Sequence, residues 1–180
     1  MKKHLVTGGS GFIGAGLVQR LVQNGDAVRV LDNGSRGALR RLESIDGQYE
    51  YHEVDIRDAE TVRKAVSGVD VVWHLAYVNG TEFFYSKPDL VLDVGVKGMI
   101  NVIDACRAED VGELILASSS EVYQTPPVTP TSENVPLIVP DPHNPRYSYG
   151  GGKIISELLT LNNAHHFDRV QVFRPHNVYG

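Results

Sequence analysis

Cysteine is almost absent. Cys106 is the only one in 180 residues, which excludes an intrachain disulfide and a cysteine-based metal cluster and leaves that thiol to be read as a buried core residue. A chain so poor in cysteine is compatible with a reducing compartment. Positive charge is not in excess either: 17 Lys and Arg stand against 22 Asp and Glu, for a formal net charge of −5. Without a basic face the chain is expected to bind neither nucleic acid nor an anionic membrane, so any anionic ligand has to be held locally. No apolar run approaches bilayer-spanning length, and the stretch ahead of Gly8 is too short for a signal-peptide core. A cytoplasmic protein is the expectation. His165 and His166 have no Asp or Cys at ligand spacing, so no metal site is expected, and they read as surface or capping residues. What remains, 42% hydrophobic and 22% charged residues, is ordinary for one domain with a sizeable core.

Short apolar runs alternate with longer segments of helical periodicity, the pattern of parallel strands joined by crossover helices. Strands are predicted at Leu5–Thr7, Ala27–Leu31, Tyr49–Val54, Val69–Leu75, Leu114–Ser118 and Val170–Phe173. The fold class is α/β, a doubly wound sheet. Phe12 to Asn24 puts Ile13, Leu17, Leu21 and Val22 on one helical face, and Leu90 to Ala108 repeats Val94, Met99, Val102 and Ile103 in the same way. From Gln124 to Arg146 the periodicity stops. Seven of the nine prolines fall there, which predicts a long extended loop of the kind that tends to cover a site, with a disordered linker as the alternative.

Thr7-Gly8-Gly9-Ser10-Gly11-Phe12-Ile13-Gly14 follows the first strand and opens the first helix. Phosphate can reach the exposed N–H groups and the positive end of the helix dipole only where no side chain intervenes, so glycine belongs at Gly8 and Gly11, while Gly14 lets helix and strand pack closely. Eighteen residues past Gly14 comes Asp32, where this fold needs a carboxylate to accept hydrogen bonds from adenosine ribose hydroxyls. Its charge favours NAD over NADP, although Arg36 offers a partner for a ribose phosphate. Asn33 and Ser35 are expected beside the adenosine. Further on, Tyr149 and Lys153 are four apart and project from one face of a helix. An ammonium beside a phenol, with a positive nicotinamide nearby, lowers the phenol pKa and lets Tyr149 take a hydroxyl proton. Three glycines between them weaken the helix by about 1 kcal/mol each. The expectation is that they leave room for nicotinamide or sugar against the backbone.

The glycine spacing resembles that of the short-chain dehydrogenase/reductase family, and Thr-Gly-Gly-x-Gly-Phe-Ile-Gly resembles its extended branch, which has a Rossmann-type parallel sheet with helices on both faces. Asp55-Ile56 is similar to the adenine-contacting pair of that branch, and His74-Leu75-Ala76 to its His-Leu-Ala signature, placing Leu75 and Ala76 at the cofactor. Ser118-Ser119-Ser120-Glu121-Val122-Tyr123 resembles the catalytic segment, which puts the catalytic hydroxyl on Ser119 and a substrate contact on Ser120. The resemblance assigns the catalytic base to Tyr149 and the nicotinamide ribose contact to Lys153. Arg174-Pro175-His176-Asn177-Val178-Tyr179-Gly180 resembles the segment whose Asn, here Asn177, touches the substrate. Gly95 stands where the branch has Asn, and Gln124 where it has Gly.

The resemblance implies an enzyme that takes a nucleotide sugar, UDP-linked by preference, through a 4-keto intermediate with NAD, as an epimerase or dehydratase. Ser119-Ser120-Glu121 is also similar to the Thr-Ser-Glu of sugar-nucleotide decarboxylases and 4,6-dehydratases, where the Glu is base or acid; here Glu121 is either that or a structural residue hydrogen-bonded to the backbone. A carbonyl reductase and a non-catalytic NAD-binding fragment remain as alternatives. Residues 1–180 would be the NAD-binding domain carrying the Ser, Tyr and Lys, with the family's substrate domain absent after 180, and the partner a second copy through the two long helices. Phe83-Phe84-Tyr85 reads as core or lid packing, with a sugar-facing role as the alternative.

Overall fold

A computed structural model describes residues 1–179. Six strands form one sheet: β1 (Lys3–Thr7), β2 (Ala27–Asp32), β3 (Glu50–Glu53), β4 (Val71–His74), β5 (Glu113–Ala117) and β6 (Arg169–Phe173). All pair in parallel, in the order β3-β2-β1-β4-β5-β6. Each predicted strand is present within two residues at either end. The order reverses between β1 and β4, and in an open parallel sheet the crevice beyond the carboxyl ends of the strands at such a reversal is where ligands bind.

The pleat sends alternate side chains to opposite faces. Val6, Val28 and Val30 face α1 (Phe12–Gln23) and the 3₁₀ turn Leu39–Ile45, whereas Leu5, Leu31, Val72 and Leu114 face α2 (Ala59–Val66) and the helices that follow. Helices therefore cover both faces. Asp58 starts α2 by accepting from the N–H groups of Glu60 and Thr61. Beyond β4 come α3 (Thr81–Ser86) and α4 (Pro88–Leu92), then a π-helical turn at Asp93–Lys97, then α5 (Gly98–Ala108). Val94, Met99, Val102 and Ile103 are buried, as the periodicity predicts, and the helical path expected from Leu90 to Ala108 is continuous, with the π turn inside it. The sixth helix, α6 (Ser148–Asn162), precedes β6. Cys106 is fully buried, and burial pushes its thiol up to about 12.

Two expectations need correction. The buried face of α1 is Gly14, Ala15, Val18 and Leu21, and Ile13 is exposed. Its first turn overhangs the end of β1, so position 13 looks into the crevice rather than onto the sheet. Residues 124–144 are irregular as predicted, yet no residue from 124 to 146 lines the crevice. Instead Gln124 and Val139 pack against the start of α6, where Gly150 and Gly151 leave space for them.

Candidate active site

The crevice is a cavity of about 690 Å³ along the carboxyl ends of β1, β2, β4 and β5. Its first wall is the glycine turn. Gly8 has φ +69°, and a side chain there would meet the backbone of Ala76 at 2.9 Å. A Cβ on Gly14 would lie 2.2 Å from the Gly8 carbonyl oxygen. The N-terminus of α1 opens into the crevice with no side-chain cap and no acidic residue in its first turn, which leaves N–H donors and a positive dipole end for an anion. Thr7 ties this wall to the next. Its hydroxyl oxygen accepts from the N–H groups of Leu75 and Ala76, both at 3.1 Å, and lies 2.9 Å from Nδ1 of His74. His74 is buried and neutral: burial first, and then Lys153, hold its imidazole down to about 3.

At the end of β2, Asp32 accepts from the N–H groups of Ser10 and Gly34 at 3.1 and 3.0 Å. Asn33, Ser35 and Arg36 follow it on the crevice wall. Asn33 accepts from Ser35 and donates to Asp55, whose carboxylate is gripped by Arg57 at 2.7 and 3.0 Å and pulled down to about 2. Asp55 and Ile56 face the crevice from beyond β3, and Leu75 and Ala76 from beyond β4. Gly11 and Phe12 complete the helix end.

The other end of the crevice holds Ser119, Ser120, Glu121, Tyr149, Lys153 and Asn177. Every site residue singled out in the sequence therefore lines one cavity. Ser119 caps the turn Ser120–Tyr123 by accepting from the N–H of Glu121 at 3.2 Å. Lys153 is buried, with Nζ donating to the Ala117 carbonyl at 2.6 Å; burial holds it down to about 7, with Glu157 pulling the other way. Among the protein's own groups, burial raises the Tyr149 phenol above the ordinary value, and the one that opposes this is the Ser119 hydroxyl rather than Lys153. The ammonium lies 5.8 Å from the Tyr149 ring centroid because it is turned toward Ala117. Glu121 does not bond the backbone through its carboxylate, which instead takes Arg146 at 2.9 and 3.1 Å. Phe84 is buried and stacks on Tyr149 with centroids 5.0 Å apart, so it packs that ring, while Tyr85 is exposed.

Sequence reasoning missed Tyr77, which lines the cavity between the two ends. The signal was in its partners. The space above Gly152 is filled by the Tyr77 hydroxyl and that above Gly150 by Gln124, so protein side chains occupy the room expected for nicotinamide or sugar. Gly95, the departure from the expected Asn, faces the Tyr77 ring too. Gln124 holds φ +49°, a conformation glycine adopts freely, which accounts for the residue expected there. Also unanticipated is a buried network in which Glu157 accepts from Ser118 and takes Arg174 at 2.7 and 2.8 Å, while Arg174 donates to the Tyr123 hydroxyl. It fixes the Pro175–Asn177 strap beside the Ser119 turn.

Among proteins of known function the chain is 35% identical over 182 residues to a UDP-glucose 4-epimerase of Mycolicibacterium smegmatis, covering 98% of this chain and 56% of that one. It is 32% identical to a UDP-N-acetyl-alpha-D-glucosaminuronate decarboxylase of Bacillus cytotoxicus, covering 99% and 55%. The chain thus spans about half the length of the curated relatives it matches. A solved UDP-glucose 4-epimerase from Brucella ovis in complex with NAD superposes with a TM-score of 0.85 at 27% identity, covering 98% of this chain and 52% of that one. The family model for the NAD dependent epimerase/dehydratase family matches residues 4–180, and the chain belongs to that family.

Proposed function

We propose that this chain binds NAD along the crevice and, as part of a nucleotide-sugar epimerase or dehydratase, uses Tyr149 to take a proton from a hydroxyl of a UDP-sugar. The observation that carries this is the single cavity that runs from an uncapped helix end and Asp32 to Tyr149, Ser119 and Lys153. The residues fit the cofactor: N–H donors of α1 for the diphosphate, Asp32 for the adenosine ribose, Leu75 and Ala76 along its flank. A second negative charge on that ribose would face Asp32, which favours NAD over NADP despite Arg36. When bound, NAD supplies a hydride acceptor and a positively charged ring.

The chain's own groups handle the proton and the sugar. The Ser119 hydroxyl, the group that opposes the upward shift of the Tyr149 phenol, would hold the reacting oxygen. Lys153, with its affinity for a proton lowered by burial, adds a positive charge that can fade near neutral pH. Asn177 and Ser120 face the sugar end. Oxidation at the 4-position gives a ketone, from which an epimer forms by reduction on the other face. Replacing Tyr149 by Phe in the complete enzyme is expected to lower turnover by about 100- to 10,000-fold while NAD remains bound. Undiminished turnover would overturn the reading.

A lyase reading has one observation in its favour, Glu121 on the cavity wall, together with the decarboxylase among the relatives. Glu121→Gln is then expected to abolish dehydration or decarboxylation and spare nicotinamide reduction; unchanged turnover removes Glu121 from the mechanism. We further propose a homodimer. Ile155, Leu158 and Leu161 form one exposed apolar row on α6, and Leu92 and Ile100 are exposed beside the π turn. Light scattering coupled to gel filtration checks it, and a monomer at all concentrations would contradict it.

A further inference from the structure

Neither the dinucleotide signature nor the proton-handling pair absorbs Tyr77, yet it lines the cavity they share and touches both members of the pair. Its hydroxyl is buried without a hydrogen-bond partner. That is unfavourable unless the rest of the side chain compensates. The ring meets Tyr149 edge-on, with centroids 5.1 Å apart and planes at 82°, and carries the Lys153 ammonium on its face, 4.0 Å from the centroid. An aromatic face is negative and attracts a cation, most strongly out of water. A lysine ammonium on its four-carbon stem otherwise has many rotamers. The hydroxyl also sits where two helical segments both lack a side chain: a Cβ on Gly95 of the π turn or on Gly152 of α6 would lie 2.1 Å from it.

We propose that Tyr77 is a positioning residue for the Tyr149–Lys153 pair, its face anchoring the ammonium, its edge fixing the phenol ring, and Gly95 and Gly152 forming the notch that seats it. This rests on the reading of Tyr149 and Lys153 as the pair that handles the proton. Other groups act on the same ammonium. The Ala117 carbonyl accepts from it at the end of β5, Glu157 acts from its own helix, and His74 faces it from β4. All three groups remain present when Tyr77 is replaced.

Two measurements on this chain test the proposal without turnover. The first is the titration of Lys153, followed by the side-chain carbon resonance that Lys153→Met removes. Tyr77→Phe, which keeps the face, is expected to titrate with the wild type. Tyr77→Leu keeps the bulk but loses the face, and its midpoint is expected to fall by roughly 0.5 to 1.5 pH units. A midpoint unmoved in Tyr77→Leu, or moved equally in Tyr77→Phe, overturns the anchoring role. The second is the urea midpoint of Gly152→Ala in two backgrounds. With Tyr77 the new methyl meets the hydroxyl at 2.1 Å, whereas with Phe its nearest neighbours are carbons at 3.5 Å. A large loss in the first background and none in the second is expected; equal losses overturn the notch. Tyr149→Phe in the complete enzyme tests the underlying pair separately. Full turnover there overturns the pair reading whatever Lys153 does, while lost turnover beside an unmoved Lys153 midpoint in Tyr77→Leu sinks only the Tyr77 proposal.

Discussion

Replacing Lys153 by Met should change the sign of its effect on stability with pH. The side chain is 2% exposed, and burial holds the ammonium down to about 7 from an ordinary 10.5. Unfolding returns it to water, so between these values the unfolded chain binds one proton more than the folded chain. Stability therefore rises with pH across that window. The contribution is complete above 10.5, where the amine is neutral in both states, and is lost as pH falls through 7. The gap corresponds to about 5 kcal/mol, a large share of the roughly 5–15 kcal/mol that holds a domain together. Met has similar length and no charge, but leaves the Ala117 carbonyl without its donor, at about 1 kcal/mol. At about pH 6 the variant is expected to exceed the wild type by about 4 kcal/mol, and near the top of the window to fall about 1 kcal/mol below it. Urea unfolding reads this through the fluorescence of Trp73, the only tryptophan. Parallel stability curves for the two proteins from pH 6 to 10.5 would refute the reasoning.

Other outcomes follow from the same structure. Because His74 is held neutral down to about 3 against an ordinary 6.5, its contribution is intact above 6.5 and is lost as pH falls toward 3; His74→Gln should flatten the acid side of the urea-midpoint profile. Glu157→Gln breaks a pair whose carboxylate is 4% exposed and leaves Arg174 uncompensated, an expected loss of about 3–5 kcal/mol by urea denaturation. Gly14→Ala forces a methyl against the Gly8 carbonyl, expected to cost about 1–3 kcal/mol and to weaken NAD in calorimetric titration. Asp32→Asn is expected to weaken NAD about 10- to 100-fold by removing charge-assisted hydrogen bonds.

The sheet was legible because both its faces are covered: strands such as Leu114 to Ala117 read as continuous apolar runs. The glycine turn and Asp32 were legible for a different reason, since close backbone approach and a fixed distance along a β-α-β unit constrain residue type directly. Periodicity failed at Ile13, because a helix that overhangs a sheet exchanges its core face for a crevice face within one turn. At the π turn the apolar pattern holds, with Val94, Met99, Val102 and Ile103 all buried, so the extra residue per turn leaves no mark in the sequence. Tyr77 was invisible because its importance lies in two distant glycines. Small residues at positions 95 and 152 say that something large is near, but only the packing of the π turn and α6 around the end of β4 identifies it. The setting of Lys153 was illegible on similar grounds: four residues along a helix bring it to the same face as Tyr149, but its ammonium is drawn to a carbonyl of β5.

The most direct measurement is mass spectrometry of the nucleotide released when the purified, folded chain is denatured, with calorimetric titration of NAD and NADP where nothing is released. NAD in the supernatant, or binding of NAD in clear preference to NADP that Asp32→Asn abolishes, is the predicted result. A folded chain that releases NADP, or that binds neither dinucleotide, would contradict the reading of the crevice as an NAD site.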